Sequence, residues 1–113
     1  MGKIRTGFKV VRRMNYFEVA SAFNLGKVVE YSTNYWTNRP SYCGPLSVFG
    51  RLKDAEFFLK KENNKALELY LCEYEESSRR ELYTENKRWK EVWCPSGTDF
   101  AEKIKLLQKI HKF

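Results

Sequence analysis

The residues best suited to binding chemistry lie in a short aromatic segment that also holds an arginine. Between Tyr31 and Tyr42 the chain places Tyr35, Trp36 and Arg39 within twelve residues. Aromatic rings beside a guanidinium can stack a base or a nicotinamide ring and pair a phosphate. Exposed aromatic side chains also suit a protein interface, and the structural alternative is a lid of Tyr35 and Trp36 over the core. We therefore predict binding residues at Tyr35, Trp36, Arg39 and Tyr42.

Two arginine pairs, Arg12-Arg13 and Arg79-Arg80, offer further anion-binding groups. The planar guanidinium binds phosphate or carboxylate through two parallel hydrogen bonds. The alternative is that these side chains only solvate the surface. We add Arg12 and Arg13 to the predicted binding residues.

A cluster of carboxylates, Glu73, Glu75 and Glu76, follows an apolar segment. Paired carboxylates can divide acid and base roles when their environments separate their pKa values. A solvated strand end or a cross-strand salt bridge is the structural alternative. Nucleophilic catalysis by a Ser–His or Cys–His pair has no suitable base, because the only histidine, His111, stands close to the end of the given sequence. The sequence favours a protein that is not an enzyme.

The three cysteines, Cys43, Cys72 and Cys94, are widely spaced and odd in number. A secreted disulfide framework normally has an even set, so we expect a reducing, cytoplasmic compartment. With His111 they do not form the close ligand pairs of structural zinc sites, and we predict no metal. No apolar run approaches the roughly 20 residues that span a bilayer, so we predict no membrane partner.

Charge favours an anionic partner. The chain has 113 residues and a net charge of +7, with +5 in residues 1–43, −2 in residues 44–76 and +4 in residues 77–113. Two basic ends around an acidic middle suit nucleic acid if they converge on one face. A protein partner, including a second copy of this chain, is the alternative.

The pattern of apolar residues predicts a single α+β domain, residues 1–113, with a mainly antiparallel sheet. Strands are expected at 8–13, 16–23, 27–32 and 46–49, with a loop at 33–45 and irregular chain at 77–86. The principal helix is predicted at 51–62, because Leu52, Ala55, Phe58 and Leu59 share one stripe.

Residues 66–74 are predicted to form a long central strand, since both of its faces are apolar at the start. Residues 87–93 fit a strand or a turn of helix. Phe100, Ile104 and Leu107 follow helical spacing, so a second helix is predicted over 99–113, although a strand through KIKLL also fits. The predicted core comprises Val10, Val28, Leu46, Val48, Ala55, Phe58, Leu59, Leu69 and Leu71.

Several short motifs lie in the middle and near the end of the chain: Gly44, Pro45, Leu46, Val48, Phe49, Ala55, Cys72, Glu73, Tyr74, Gly97 and Thr98. Together they resemble a family of short, uncharacterised prokaryotic and phage-associated proteins. The resemblance covers about half of the chain and implies the same succession of strand, short helix and strand. It implies no activity.

The order of elements is also similar, more distantly, to the ADP-ribosyltransferase-like fold. That resemblance implies an alternative function, an NAD-binding enzyme or relic, with Arg12, Tyr35, and Glu73 or Glu75 as its catalytic residues; Ser32 is an alternative to Tyr35. Such chemistry requires these side chains to converge in one cleft. The leading hypothesis is a small non-enzymatic binding or accessory module with an anionic or protein partner.

Overall fold

Strands make up most of the residues that the structure describes, and one α-helix lies among them. The computed structural model describes residues 2–13, 19–21, 29–40, 44–83, 88–90 and 94–110. In chain order the elements are β1 (Ile4–Arg13), β2 (Val19–Ser21), β3 (Glu30–Tyr31), β4 (Trp36–Asn38), β5 (Leu46–Phe49), α1 (Leu52–Glu62), β6 (Leu67–Glu76), β7 (Glu81–Tyr83), β8 (Arg88–Lys90) and β9 (Thr98–Ile110).

The main sheet is antiparallel and closes on itself. β6 lies between β1 and β9, with nine register pairs to β1 and eight to β9, so it is central in the sheet as predicted. β5 pairs with β9 on the side opposite β6, and it pairs with β1 through one register pair, Phe8 with Phe49. The strands β1, β6, β9 and β5 therefore form a closed ring. β2 and β3 extend the sheet from β1, β4 pairs with β9, and β7 and β8 form a separate pair.

Alternation along the strands divides the core between the two faces of the ring. The interior holds side chains from every ring strand, including Val11, Val48, Cys72, Tyr74 and Ile104. The outer face packs Val10, Phe49 and Leu69 against Ala55 of α1. Neighbouring residues such as Val10 and Val11 thus belong to different clusters, as expected when successive strand side chains point to opposite faces.

The helix α1 confirms the predicted element at 51–62. Ala55 is buried, Phe58 and Leu59 are half-buried against the outer cluster, and Phe57 is 66% exposed. Asn63 ends the helix in the left-handed conformation (φ 47°), and its N–H donates to the carbonyl of Leu59 at 3.0 Å. Asn tolerates this conformation better than most residues, so the local stop signal acts as expected.

The helix predicted over 99–113 is wrong, because residues 98–110 form β9, the longest strand. Two register shifts against β6 leave Glu102 and Leu107 without a register partner in that strand, so the buried residues of β9 do not follow strict alternation. Each β-bulge inserts one residue and shifts the alternation. Ile104 and Leu106 nevertheless point together into the ring.

Two short strands lie where loops or irregular chain were predicted. β4 falls within the predicted loop at 33–45, and β7 within the irregular segment at 77–86. Of the predicted core, Phe58, Leu59 and Leu71 are only half-buried, and Val28 lies outside the described residues. The buried predicted residues are Val10, Leu46, Val48, Ala55 and Leu69.

Candidate functional site

Arg13 is held in an ion-pair network. Its Nε lies 3.1 Å from Oε2 of Glu68 and a terminal guanidinium nitrogen lies 2.5 Å from Oε1, while Lys109 Nζ lies 3.1 Å from the same carboxylate. Burial alone would raise the pKa of Glu68, but the hydrogen bonds from Arg13 and Lys109 outweigh it and lower that pKa. Arg13 therefore fastens β1 to β6 through a carboxylate that it shares with Lys109.

Arg39 has a similar structural role at the end of β4. Its Nε donates to Oε1 of Glu102 at 2.8 Å, and its backbone N–H donates to the carbonyl of the same residue at 2.9 Å. Glu102 also accepts a hydrogen bond from the hydroxyl of Ser77. Although burial opposes it, these bonds lower the pKa of Glu102. The bulged residue of β9 thus anchors the chain that leaves β4.

Tyr35 and Trp36 lie at a turn that leads into β4. Asn34 adopts a left-handed conformation (φ 70°), and its N–H donates to the carbonyl of Leu106 at 2.7 Å. Tyr35 is 71% exposed, and Trp36 is half-buried. Tyr35 therefore does not form the lid over the core that was the structural alternative to a binding role.

Two lysines of β9 flank the indole of Trp36. Trp36 stands opposite Lys105 in the register, and Asn38 stands opposite Lys103. The ammonium of Lys103 lies 4.7 Å from the ring centroid and that of Lys105 lies 5.0 Å from it, within the range of a cation–π contact. We call Tyr35, Trp36, Lys103 and Lys105 the aromatic–lysine surface.

Carboxylates of β6 border this surface on one side. Glu73 stands opposite Lys105, with its Oε1 3.4 Å from the ammonium, and Glu75 stands opposite Lys103. The cross-strand salt bridge considered for Glu73 from the sequence is present. The aromatic–lysine surface is therefore cationic, through the lysines of β9, and the neighbouring strand β6 is acidic.

The residues of the ADP-ribosyltransferase-like alternative are not brought together. Arg12 pairs in register with Leu67. Glu73 pairs with Thr6, which lies six residues before Arg12 in β1. Six residues of extended strand span about 20 Å. Tyr35 lies beyond β9, on the turn before β4. Tyr42 lies outside the described residues.

A buried lysine, which was not predicted from the sequence, lies inside the ring. Lys9 is 3% exposed, and its ammonium donates to the carbonyl of Ser47 at 2.6 Å and contacts the ring of Tyr31 at 5.5 Å. Burial lowers the pKa of Lys9 to about 8. The hydroxyl of Tyr31 is buried and finds no hydrogen-bond partner among the described residues. Lys9 thus links β1 to β5 where the backbone ladder provides only one pair.

Two open clefts among the described residues have linings that do not indicate a particular ligand. An open cleft of about 360 Å³ lies beside α1 and is lined in part by Phe57, Phe58 and Pro95. A second, of about 550 Å³, is lined by the acidic residues Glu75, Glu76 and Glu102. The described residues contain no group of three His, Cys, Asp or Glu side chains placed to hold a metal ion.

Sequence reasoning found the aromatic half of the aromatic–lysine surface but missed its lysines. Tyr35 and Trp36 stand out by composition, whereas Lys103 and Lys105 join them only through the pairing of β4 with β9. The signal was present in the alternating pattern of KIKLL, which places the two lysines on one face of a strand and Ile104 on the other.

Comparison with family models, curated proteins and solved structures gives no match to this chain. Within the described part of the chain, no helix has the length and apolar character needed to cross a membrane.

Proposed function

We propose that this protein is a small non-enzymatic binding module whose aromatic–lysine surface binds an anionic partner. The observation that supports the proposal is the position of two ammonium groups, 4.7 and 5.0 Å from the centroid of the half-buried indole of Trp36. Such a group offers positive charge and a flat apolar ring in one place. A cytoplasmic location belongs to the same proposal and rests on the odd cysteine count.

The charges near this surface favour an anion on the β4 side. Glu73 partly neutralises Lys105, but Lys103 has no carboxylate partner among the described residues. The net charge of +7 adds a long-range attraction for polyanions. Arg13 and Arg39 contribute less, because their guanidinium groups are paired with Glu68 and Glu102.

The test uses inorganic polyphosphate as a polyanion without aromatic groups. Binding is measured by titration calorimetry at salt concentrations from about 50 to 200 mM, because bound phosphates release counterions and affinity falls as salt rises. Replacing both lysines in a Lys103→Gln, Lys105→Gln variant removes two contacts. Its plot of log affinity against log salt should be less steep by about 1.5.

The matched control is the double variant Lys60→Gln, Lys61→Gln on α1. Both residues are exposed, and the variant changes the net charge by the same amount. It should keep the original slope. Equal losses in the two double variants would show non-specific attraction and overturn the proposed site. No binding at low salt would reject an anionic partner and leave the protein-partner alternative.

A further inference from the structure

The backbone that carries Trp36 is hydrogen-bonded to β9 on both sides. The backbone N–H of Asn34 donates to the carbonyl of Leu106 before β4, and that of Arg39 donates to the carbonyl of Glu102 after it, at 2.7 and 2.9 Å. These bonds fasten both ends of a three-residue strand to β9. A backbone held in this way loses little conformational freedom when a ligand stacks on the ring that it carries.

The ring and the ammonium groups suit different parts of one ligand. A stacked planar group would contact the indole, and anionic groups attached to it would lie beside Lys103 and Lys105, whose ammoniums are already within 5.0 Å of the ring centroid. Tyr35 directly precedes Trp36 and exposes 71% of its surface, so a second ring is available nearby. A chain of alternating planar bases and phosphates has this chemistry.

The arrangement favours a single strand over a duplex. The face of a base can stack on a side chain only when it is not covered by its neighbours in a helix. Glu73 and Glu75 repel phosphates on the β6 side, so a bound strand would lie over β9 and β4.

We propose that the anionic ligand is single-stranded nucleic acid, with a base stacked on Trp36 and its phosphates on Lys103 and Lys105. The inference rests on the proposed anion-binding function and specifies its ligand.

The experiment compares three probes of similar charge: an unstructured oligothymidylate, a DNA hairpin duplex and inorganic polyphosphate. Affinity is measured by anisotropy or calorimetry, and stacking by quenching of tryptophan fluorescence. We expect the oligothymidylate to bind most tightly and to quench the emission. A Trp36→Leu variant should lose about tenfold in affinity for it and most of the quenching, with polyphosphate binding unchanged.

Phe57→Leu is the matched control, because Phe57 is an exposed aromatic residue on α1. It should alter neither affinity nor quenching. If polyphosphate and oligothymidylate bind equally and Trp36→Leu affects neither, the nucleic-acid inference is overturned while the anion-binding function stands. If the duplex binds as tightly as the single strand, single-strand selectivity is rejected. If no probe binds, both proposals fail.

Discussion

Lys9 places a positive charge inside a protein ring that otherwise contains mostly apolar side chains. Among the described residues, the groups that face it are Tyr31 of β3, Ser47 of β5 and Cys72 of β6, and none of the carboxylates described there contacts it. A pKa of about 8, compared with an ordinary value of 10.5, corresponds to a penalty of about 3 kcal/mol for the charged form. The hydrogen bonds to Ser47 offset part of this cost.

The buried ammonium of Lys9 makes the stability of the protein depend on pH. Between pH 8 and pH 10.5 the unfolded chain holds the Lys9 proton more strongly than the folded chain does, so the contribution of Lys9 to stability rises with pH. The unfolding free energy of the native protein, relative to a Lys9→Met variant, should therefore increase by up to about 3 kcal/mol across this window.

Denaturant unfolding of both proteins at several pH values measures this difference. The variant is needed as a reference, because burial raises the pKa of Cys72 to about 12 and that of Tyr31, and both groups lower stability at alkaline pH. A constant difference between the two proteins from pH 8 to pH 10.5 would show that Lys9 is solvated.

Gly97 is required at its position for two reasons. Its φ is +84°, and a Cβ there would lie 2.2 Å from Oδ2 of Asp54 on α1. We predict that Gly97→Ala destabilises the protein by about 2 kcal/mol or more, through backbone strain and displacement of Asp54. Thermal or urea unfolding gives the value.

Gly50 provides the matched control for this substitution. A Cβ at Gly50 would meet no atom within 4 Å. Gly50→Ala should change the unfolding free energy by about 0.5 kcal/mol or less. Equal effects at the two glycines would mean that the segment around residue 97 does not pack against α1 as described.

At the scale of elements, local signals identified the middle of the fold. β5 has the predicted bounds, α1 begins one residue later than predicted, and β6 is central as its apolar faces indicated. These elements carry their own stop signals, such as Asn63. β9 has no comparable stop signal. Its two bulges also interrupt the alternation by which a strand is predicted. β4 has only three residues, too few for alternation to appear.

Strand pairing, which local sequence does not predict, also determines the candidate site. Aromatic composition was enough to single out Tyr35 and Trp36, but the partners of Trp36 depend on the register between β4 and β9. Arg13 and Arg39 looked equally suitable from the sequence, and only the structure shows that both are paired with half-buried carboxylates. Lys9 was not selected because a lysine in a strand is usually solvated.

The pairing of β6 with β9 yields a prediction about ligand affinity. Glu73 lies 3.4 Å from Lys105 and competes with an anionic ligand for its ammonium. Glu73→Gln should therefore raise the affinity for polyphosphate by about two- to fivefold, the equivalent of one surface ion pair. Calorimetric titration at low salt measures the change.

Glu62→Gln on α1 is the control, since Glu62 is exposed and the substitution changes the net charge equally. It should leave the affinity close to that of the native protein. An equal gain in both variants would mean that only net charge matters, and would count against the aromatic–lysine surface as the binding site.

The whole molecule is a closed ring with one weak seam. Nine register pairs join β1 to β6 and eight join β6 to β9, but a single pair joins β1 to β5. The Lys9 ammonium adds one further link across this seam, at 2.6 Å from the carbonyl of Ser47. The helix α1 covers the seam from outside, where Phe58 packs at 5.6 Å from Phe49 between ring centroids.

This asymmetry predicts where the ring opens first. Opening between β1 and β5 breaks few hydrogen bonds, whereas separating β6 from either neighbour breaks a long ladder, so the seam belongs to the low-stability end of local unfolding. Amides in residues 44–49 should exchange hydrogen for deuterium faster than those in residues 67–76, as measured by mass spectrometry of peptides. Lys9→Met, which removes the side-chain link, should accelerate exchange in residues 44–49 and leave residues 67–76 unchanged. Equal protection of the two segments in the native protein would show instead that the ring unfolds only as one cooperative unit.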